Sequence, residues 1–162
     1  MSVSIRPVRR GEAGLVLELV RELAAYERLL GSVDATEQMI DAALFAPDAR
    51  VFCDIAEWER RPAGLALWFL NFSSFRGRHG IYLEDLYVRP AYRRRGIGRA
   101  LFRHLAQRCV AEGWTRFEWS VLDWNAPSID FYRSLGAELL DEWTICRITG
   151  DALVRLARPG AG

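Results

Sequence analysis

"LEDLYVRPAYRRRGIGRAL", residues 83–101, joins two kinds of regular structure across a junction of unusual chemistry. Its first residues continue "IYLEDLYV", a strand-like apolar run, and its last open "IGRALFRHLAQRCVAEG", which reads as a helix. Four arginines, Arg89, Arg93, Arg94 and Arg95, precede Gly96 and Gly98 at that boundary. The glycines let the backbone turn sharply and leave adjacent N–H groups uncovered, while a helix N-terminus adds positive partial charge. A junction so built can bind phosphate. G-x-G-x-x-G fails at Leu101 and no G-x-x-x-x-G-K-[ST] occurs, so neither a dinucleotide fingerprint nor a P-loop is present.

Downstream, "TRFEWSVL" reads as another strand and "NAPSIDFYRSLG" as another helix. Asn125 suits the cap of that helix, Pro127 its first turn and Gly136 its stop. Such alternation implies parallel pairing through a helical crossover. Upstream, the pattern predicts a strand at "VSIRPV", an amphipathic helix over residues 12–30 and a second helix over 36–45, capped by Thr36 or Asp34. "RVFCDIAEW", "ERRPAG" and "LALWFLNFS" then read as strand, turn and strand, with "SSFRGRHG" as a polar loop before residue 81. A final hairpin is expected over residues 137–148 and a frayed tail at "RPGAG". The fold class is therefore α/β (α+β), as one domain over 1–157 with a flexible tail at 158–162.

Composition narrows the partners. Lys and Arg nearly balance Asp and Glu, leaving a formal charge of +1, so no global field favours nucleic acid or an anionic membrane. The N-terminal stretch lacks a signal-peptide apolar core, and "AGLALWFLNF" is too short to span a bilayer, so the expected location is cytoplasmic. Cys53, Cys109 and Cys146 are widely spaced without a CxxC, which suits small buried hydrophobes in a reducing compartment. His79 and His104 have no neighbours at metal-ligand spacing, so no metal is expected.

"LEDLYVRPAYRRRGIGRAL" followed by "WNAPSIDFYRSLGA" resembles the acetyl-CoA-binding core of the GCN5-related N-acetyltransferase superfamily, whose R/Q-x-x-G-x-G/A signature falls on Arg93, Gly96 and Gly98. "RELAAYE", "YLED" and "WNAPSIDFY" together resemble its diamine and thialysine acetyltransferase branch. The resemblance implies a mixed central sheet of six to seven strands flanked by about four helices, and direct acetyl transfer from acetyl-CoA in a ternary complex. It places the CoA pyrophosphate against the loop of Arg94, Arg95, Gly96, Ile97, Gly98 and Arg99, with Arg93 beside it. It sets the pantetheine along Leu86, Tyr87 and Val88, and lines the cofactor cleft with Asn125 and Ser128. It also implies a homodimer.

Moving acetyl from a thioester to an amine needs a neutral amine, a polarised carbonyl and a stabilised or protonated thiolate. The resemblance assigns the base to Glu84 and the acid to Tyr132, whose phenol, with an ordinary pKa of roughly 10, suits reprotonation of a thiolate. Strict strand alternation sets Glu84 and Asp85 on opposite sheet faces, so Asp85 is expected to be structural. Tyr26 and Glu27 match acceptor-site positions, and Glu142 or Asp141 supplies a further carboxylate. After "YE" the chain reads "RLLGSV", where polyamine-acetylating relatives carry more acidic residues, so a small amine or amino acid fits better than a long polycation. The alternatives are a protein lysine or N-terminal acetyltransferase and a non-catalytic CoA-binding sensor.

Overall fold

A computed structural model describes residues 2–160 of the chain. The chain divides after Ser120 into two compact units. The first unit is a five-stranded sheet with helices on both faces. Its elements are β1 (Val3–Pro7), α1 (Ala13–Tyr26), α2 (Glu37–Phe45), β2 (Val51–Trp58), β3 (Arg61–Ser73), β4 (Arg78–Val88), α3 (Ile97–Glu112) and β5 (Phe117–Trp119). The strands lie in sequence order; β1 to β4 pair antiparallel and β5 joins β4 in parallel, with α3 as the crossover.

Register separates the two faces. Val16, Leu19 and Leu23 of α1 bury against Cys53, Ile55, Leu65 and Tyr87, and Ile40 and Leu44 of α2 pack onto the same cluster. On the opposite face, Phe102 of α3 meets the rings of Phe117 and Trp119 at 5.4 and 4.8 Å between centroids. Trp68 also points there, donating Nε1–H to buried Asp54 at 2.8 Å. A buried carboxylate without such a donor would cost stability.

Ends are set by local chemistry. Thr36 caps α2 by accepting from the Met39 amide at 3.2 Å. The β2–β3 turn uses Glu59 and Arg60 at φ 50° and 66°, the two left-handed residues of a type I′ hairpin, without the Asn-Gly that usually announces one. Helix α1 stops at Tyr26 rather than near residue 30, because Arg28 adopts φ 62°. Leu29 N–H then donates to Ala24 C=O at 2.8 Å and Arg28 N–H to Ala25 C=O at 3.1 Å, the paired bonds of a Schellman stop.

The second unit contains α4 (Ala126–Ser134) and α5 (Gly150–Leu156). Asn125 caps α4 through its side-chain oxygen, and Gly136 closes it at φ 89°, as the sequence predicts. The expected hairpin over 137–148 is absent: among the described residues this segment forms no strand, and the sheet has five strands rather than six or seven. Apolar alternation gives a strand only where another strand accepts its hydrogen bonds and a neighbour covers its face. Here Trp143, Ile145 and Ile148 stay exposed. Helix α5 lies between that segment and the expected tail, where the sequence predicts no element, with Asp151 in its first turn and Arg155 in its last. Residues 161 and 162 of the expected tail lie outside the described residues. Cys53 and Cys109 are buried as expected, whereas Cys146 is exposed.

Candidate active site

Strand β4 runs on to Val88, but its last pair with β5 is Leu83 with Trp119. Beyond that pair, the β4 edge at Leu86, Tyr87 and Val88 is open to an extended ligand, among the described residues of the sheet. Extended chains pair with such edges through main-chain hydrogen bonds. The chain then turns at Pro90–Tyr92 and enters α3. Arg89 anchors the turn, because its Nε–H donates to Glu22 of α1 at 3.0 Å and its main-chain N–H to Ala63 C=O at 2.9 Å.

In the loop, Arg94 sits at φ 59° and Gly96 at φ 77°, two left-handed residues just before the first turn of α3. Successive N–H groups in such a stretch converge into an anion-binding nest, and no side chain caps the helix above it. A Cβ on Gly96 would find no atom within 4 Å, so the space beside the loop is open. Two of the arginine side chains turn to aromatic rings. Arg93 folds back, donating Nε–H to Val88 C=O at 3.0 Å with its guanidinium 5.1 Å from the Tyr26 ring and 5.8 Å from the Tyr87 ring. Arg95 lies 4.9 Å over Trp58. Both guanidinium groups stay beside the loop, whose left-handed residues leave backbone N–H groups available to an anion.

The candidate acidic residues gather at the α1 face of the same strand. Register shifts between Leu67 and Trp68: Leu67 pairs with Asp85 and Trp68 with Leu83, leaving Glu84 as the extra residue of a β-bulge. Strict alternation therefore fails here. Without the bulge Asp85 would share the α3 face with Leu83; with it, Asp85 joins Leu67 and Tyr87 toward α1. Burial raises the Asp85 carboxyl to about 6, with Glu84 and Glu27 adding to the rise. The Glu27 carboxyl is also raised by burial. Glu84 itself is exposed. Tyr26, Glu27, Glu84 and Asp85 thus gather where α1 ends against β4, and Asp85, expected to be structural, carries the perturbed carboxyl. A bulge has no signature in "YLED", so only the adjacent acidic pair could have drawn attention to it.

Tyr132, Ser128 and Asn125 lie in the second unit, on α4 or at its start. Asn125 accepts from the Ser128 amide at 3.4 Å, so one of its roles is the helix cap. The Tyr132 carbonyl accepts from Ala137 N–H at 3.2 Å in the stop at Gly136, fixing the turn that carries the phenol. Glu142 and Asp141 are exposed in the irregular segment that follows. An open groove of about 520 Å³, lined by Leu17, Glu18, Arg21 and Glu37 among others, contains none of the candidate site residues.

Comparison with known proteins shows the family and the fold. The acetyltransferase (GNAT) family pattern matches residues 16–137. A thialysine N-epsilon-acetyltransferase of Sus scrofa is 36% identical over 167 residues, covering 96% of this chain and 98% of that protein. An L-ornithine N5-acetyltransferase of Arabidopsis thaliana is 40% identical over 114 residues, 70% of this chain and 50% of its own length. Among solved structures, an integron cassette protein from the mobile metagenome of V. cholerae superposes with a TM-score of 0.81 at 28% identity, covering 98% of this chain and 99% of that one.

Proposed function

The chain belongs to the acetyltransferase (GNAT) family, and from that premise we propose that it is an N-acetyltransferase that moves acetyl from acetyl-CoA to a primary amine of a small molecule, directly and with both substrates bound. A diamine, polyamine or thialysine-like amino acid is the substrate class, and an amino acid with a side-chain amine suits the site best. The observation that carries this reading is the half-buried Asp85 carboxyl, raised to about 6 among Glu84 and Glu27 on the face of an open strand edge. Buried like charges favour occupation by a cation, and an alkylammonium supplies one. The relatives named for thialysine and ornithine support the same class of acceptor.

Acetyl-CoA supplies the acetyl group as a thioester. The backbone nest from Arg94 to Arg99 is suited to its pyrophosphate, with Arg93 and Arg95 adding positive charge, and the edge at Leu86–Val88 to its pantetheine arm. Tyr26 and Glu27 receive the amine. Glu84, exposed at the bulge, takes its proton to solvent while Asp85 holds the charge, so a neutral nitrogen faces the acyl carbon. A backbone N–H near Leu86 polarises the carbonyl. For the second unit the proposed roles are Tyr132 as the acid, whose Oη holds the proton that the departing sulfur needs, Asn125 and Ser128 as cofactor-binding residues, and Glu142 as a carboxylate for the amine. The exposed Trp143, Ile145 and Ile148 further support a homodimer, since apolar patches of this kind mark contact surfaces; sedimentation of the purified chain reads this directly.

The experiment is kcat/KM against pH for wild type and Glu84→Gln, using two amines of different pKa. Because alkylamines ionise near 10.4, the variant should lose activity most at neutral pH and recover as pH rises. The amine with the lower pKa should lose less. Superimposable profiles would remove Glu84 from the chemistry.

A further inference from the structure

The α1 face of the sheet continues past Asp85 toward the β3–β4 turn, beyond the last residue that packs against the α1 core, Leu67. Phe69 and Tyr82 come next, ring centroids 5.1 Å apart, and Tyr82 pairs across with Glu118 of β5. The Tyr82 hydroxyl bonds the Ser120 hydroxyl at 2.9 Å. Gly80 leaves room for Arg116 to cross β4, since a Cβ there would lie 2.8 Å from its Cγ. Arg116 then reaches Phe72 C=O with Nη2 at 3.2 Å and places Nε 3.4 Å from Glu118, whose other oxygen accepts from Asn71 at 2.8 Å. The Arg116 and Glu118 side chains keep 39% and 36% of their surface open, so both charges can still be reached by a ligand.

We propose that Arg116 and Glu118, with the Tyr82 and Ser120 hydroxyls, recognise the zwitterionic α-amino-carboxylate head of an amino-acid acceptor whose side-chain amine lies at Asp85. This rests on the amine acetylation proposed above and names which acceptors within that class are preferred. A half-exposed arginine–glutamate pair adds little to stability, but an adjacent cation and anion complement an adjacent carboxylate and ammonium. The spacing agrees. The Leu67–Asp85 and Phe69–Tyr82 pairs are two residues apart along β3, roughly 7 Å, and Glu118 lies about 4.8 Å further across the sheet. Five bonds separate the side-chain nitrogen from the α-carbon in thialysine, three of about 1.5 Å and two longer carbon–sulfur bonds, a span of roughly 6–7 Å when extended. The aromatic pair lies under the connecting chain.

The test compares thialysine with its decarboxylated counterpart and with its counterpart lacking the α-amine, in wild type, Arg116→Gln, Arg116→Lys and Glu118→Gln. Wild type should prefer thialysine to both truncated amines by about tenfold or more in kcat/KM, the scale of a charge-assisted hydrogen bond. Arg116→Gln should abolish the preference for the carboxylate, Arg116→Lys should restore part of it, and Glu118→Gln should abolish the preference for the α-amine. Equal losses on all three acceptors, or a wild type that does not discriminate, would overturn the head-group site alone. Absence of turnover with every amine would overturn the acetylation reading and this inference with it.

Discussion

Asp85 owes its chemistry to one extra residue in β4. The bulge at Glu84 turns the side chain that would face α3 toward α1, where burial and the charges of Glu84 and Glu27 lift its carboxyl from 3.8 to about 6. Below that pH the group is neutral and no longer attracts an ammonium; above it, the charge is present. Amine kcat/KM should therefore climb as pH rises through about 6 in wild type, and Asp85→Asn should lose both that limb and roughly tenfold or more of the plateau. Stability runs the other way. A carboxyl whose folded pKa is raised costs folding free energy once ionised, so wild type should weaken as pH rises from about 4 to about 6, and more steeply than Asp85→Asn, which keeps only the smaller contribution of Glu27. Thermal melts across that window check the sign, and a variant that melts in parallel with wild type would show that the environment does not perturb Asp85. None of this was legible in "YLED", because two-residue alternation is the only facing rule a sequence offers. Glu27 and Tyr26 were legible by resemblance, and the structure brings them to Asp85 through the end of α1.

Two helix ends show how far local signals reach. The junction at Gly96 was readable as a helix start, its assignment to phosphate came from the resemblance, and the structure adds a left-handed Arg94 that only the folded loop reveals. Gly98→Asp sets a carboxylate in the first turn of α3, beside the proposed phosphate position, where it adds like-charge repulsion. Calorimetry should find CoA binding lost in a protein that still folds; unchanged affinity would move the phosphate site elsewhere. The end of α1 was misplaced because the left-handed stop residue is Arg28 and not glycine. Helix α3 ends in the same hydrogen-bond pattern with Gly113 at φ 69°. Arg28→Gly should therefore stabilise the chain by roughly 1 kcal/mol, the cost an L-residue bears in that conformation. Urea unfolding measures it, and a lower midpoint would mean that the arginine side chain contributes more than its backbone costs.

Across the whole molecule, the strand–helix alternation around residues 83–136 was written plainly enough to give a parallel pair joined by a helical crossover, whereas the order of all five strands and the end of the chain were not. Residues 137–148 alternate like a hairpin yet form none, because the pattern states what the segment would bury and not what would bury it; α5 was signalled only by Asp151, Arg155 and a following Pro159. The account places amine and thioester chemistry at the splayed end of β4, and everything above it depends on acetyl reaching a small primary amine. Thiol release from acetyl-CoA, followed by identification of the acetylated nitrogen, tests that most directly across thialysine, ornithine, a diamine, spermine and a lysine peptide. The account predicts turnover with the small amino acids, acetylated on the side-chain amine, exceeding that with spermine and the peptide. Release that is absent, or that occurs with the peptide alone, would contradict it.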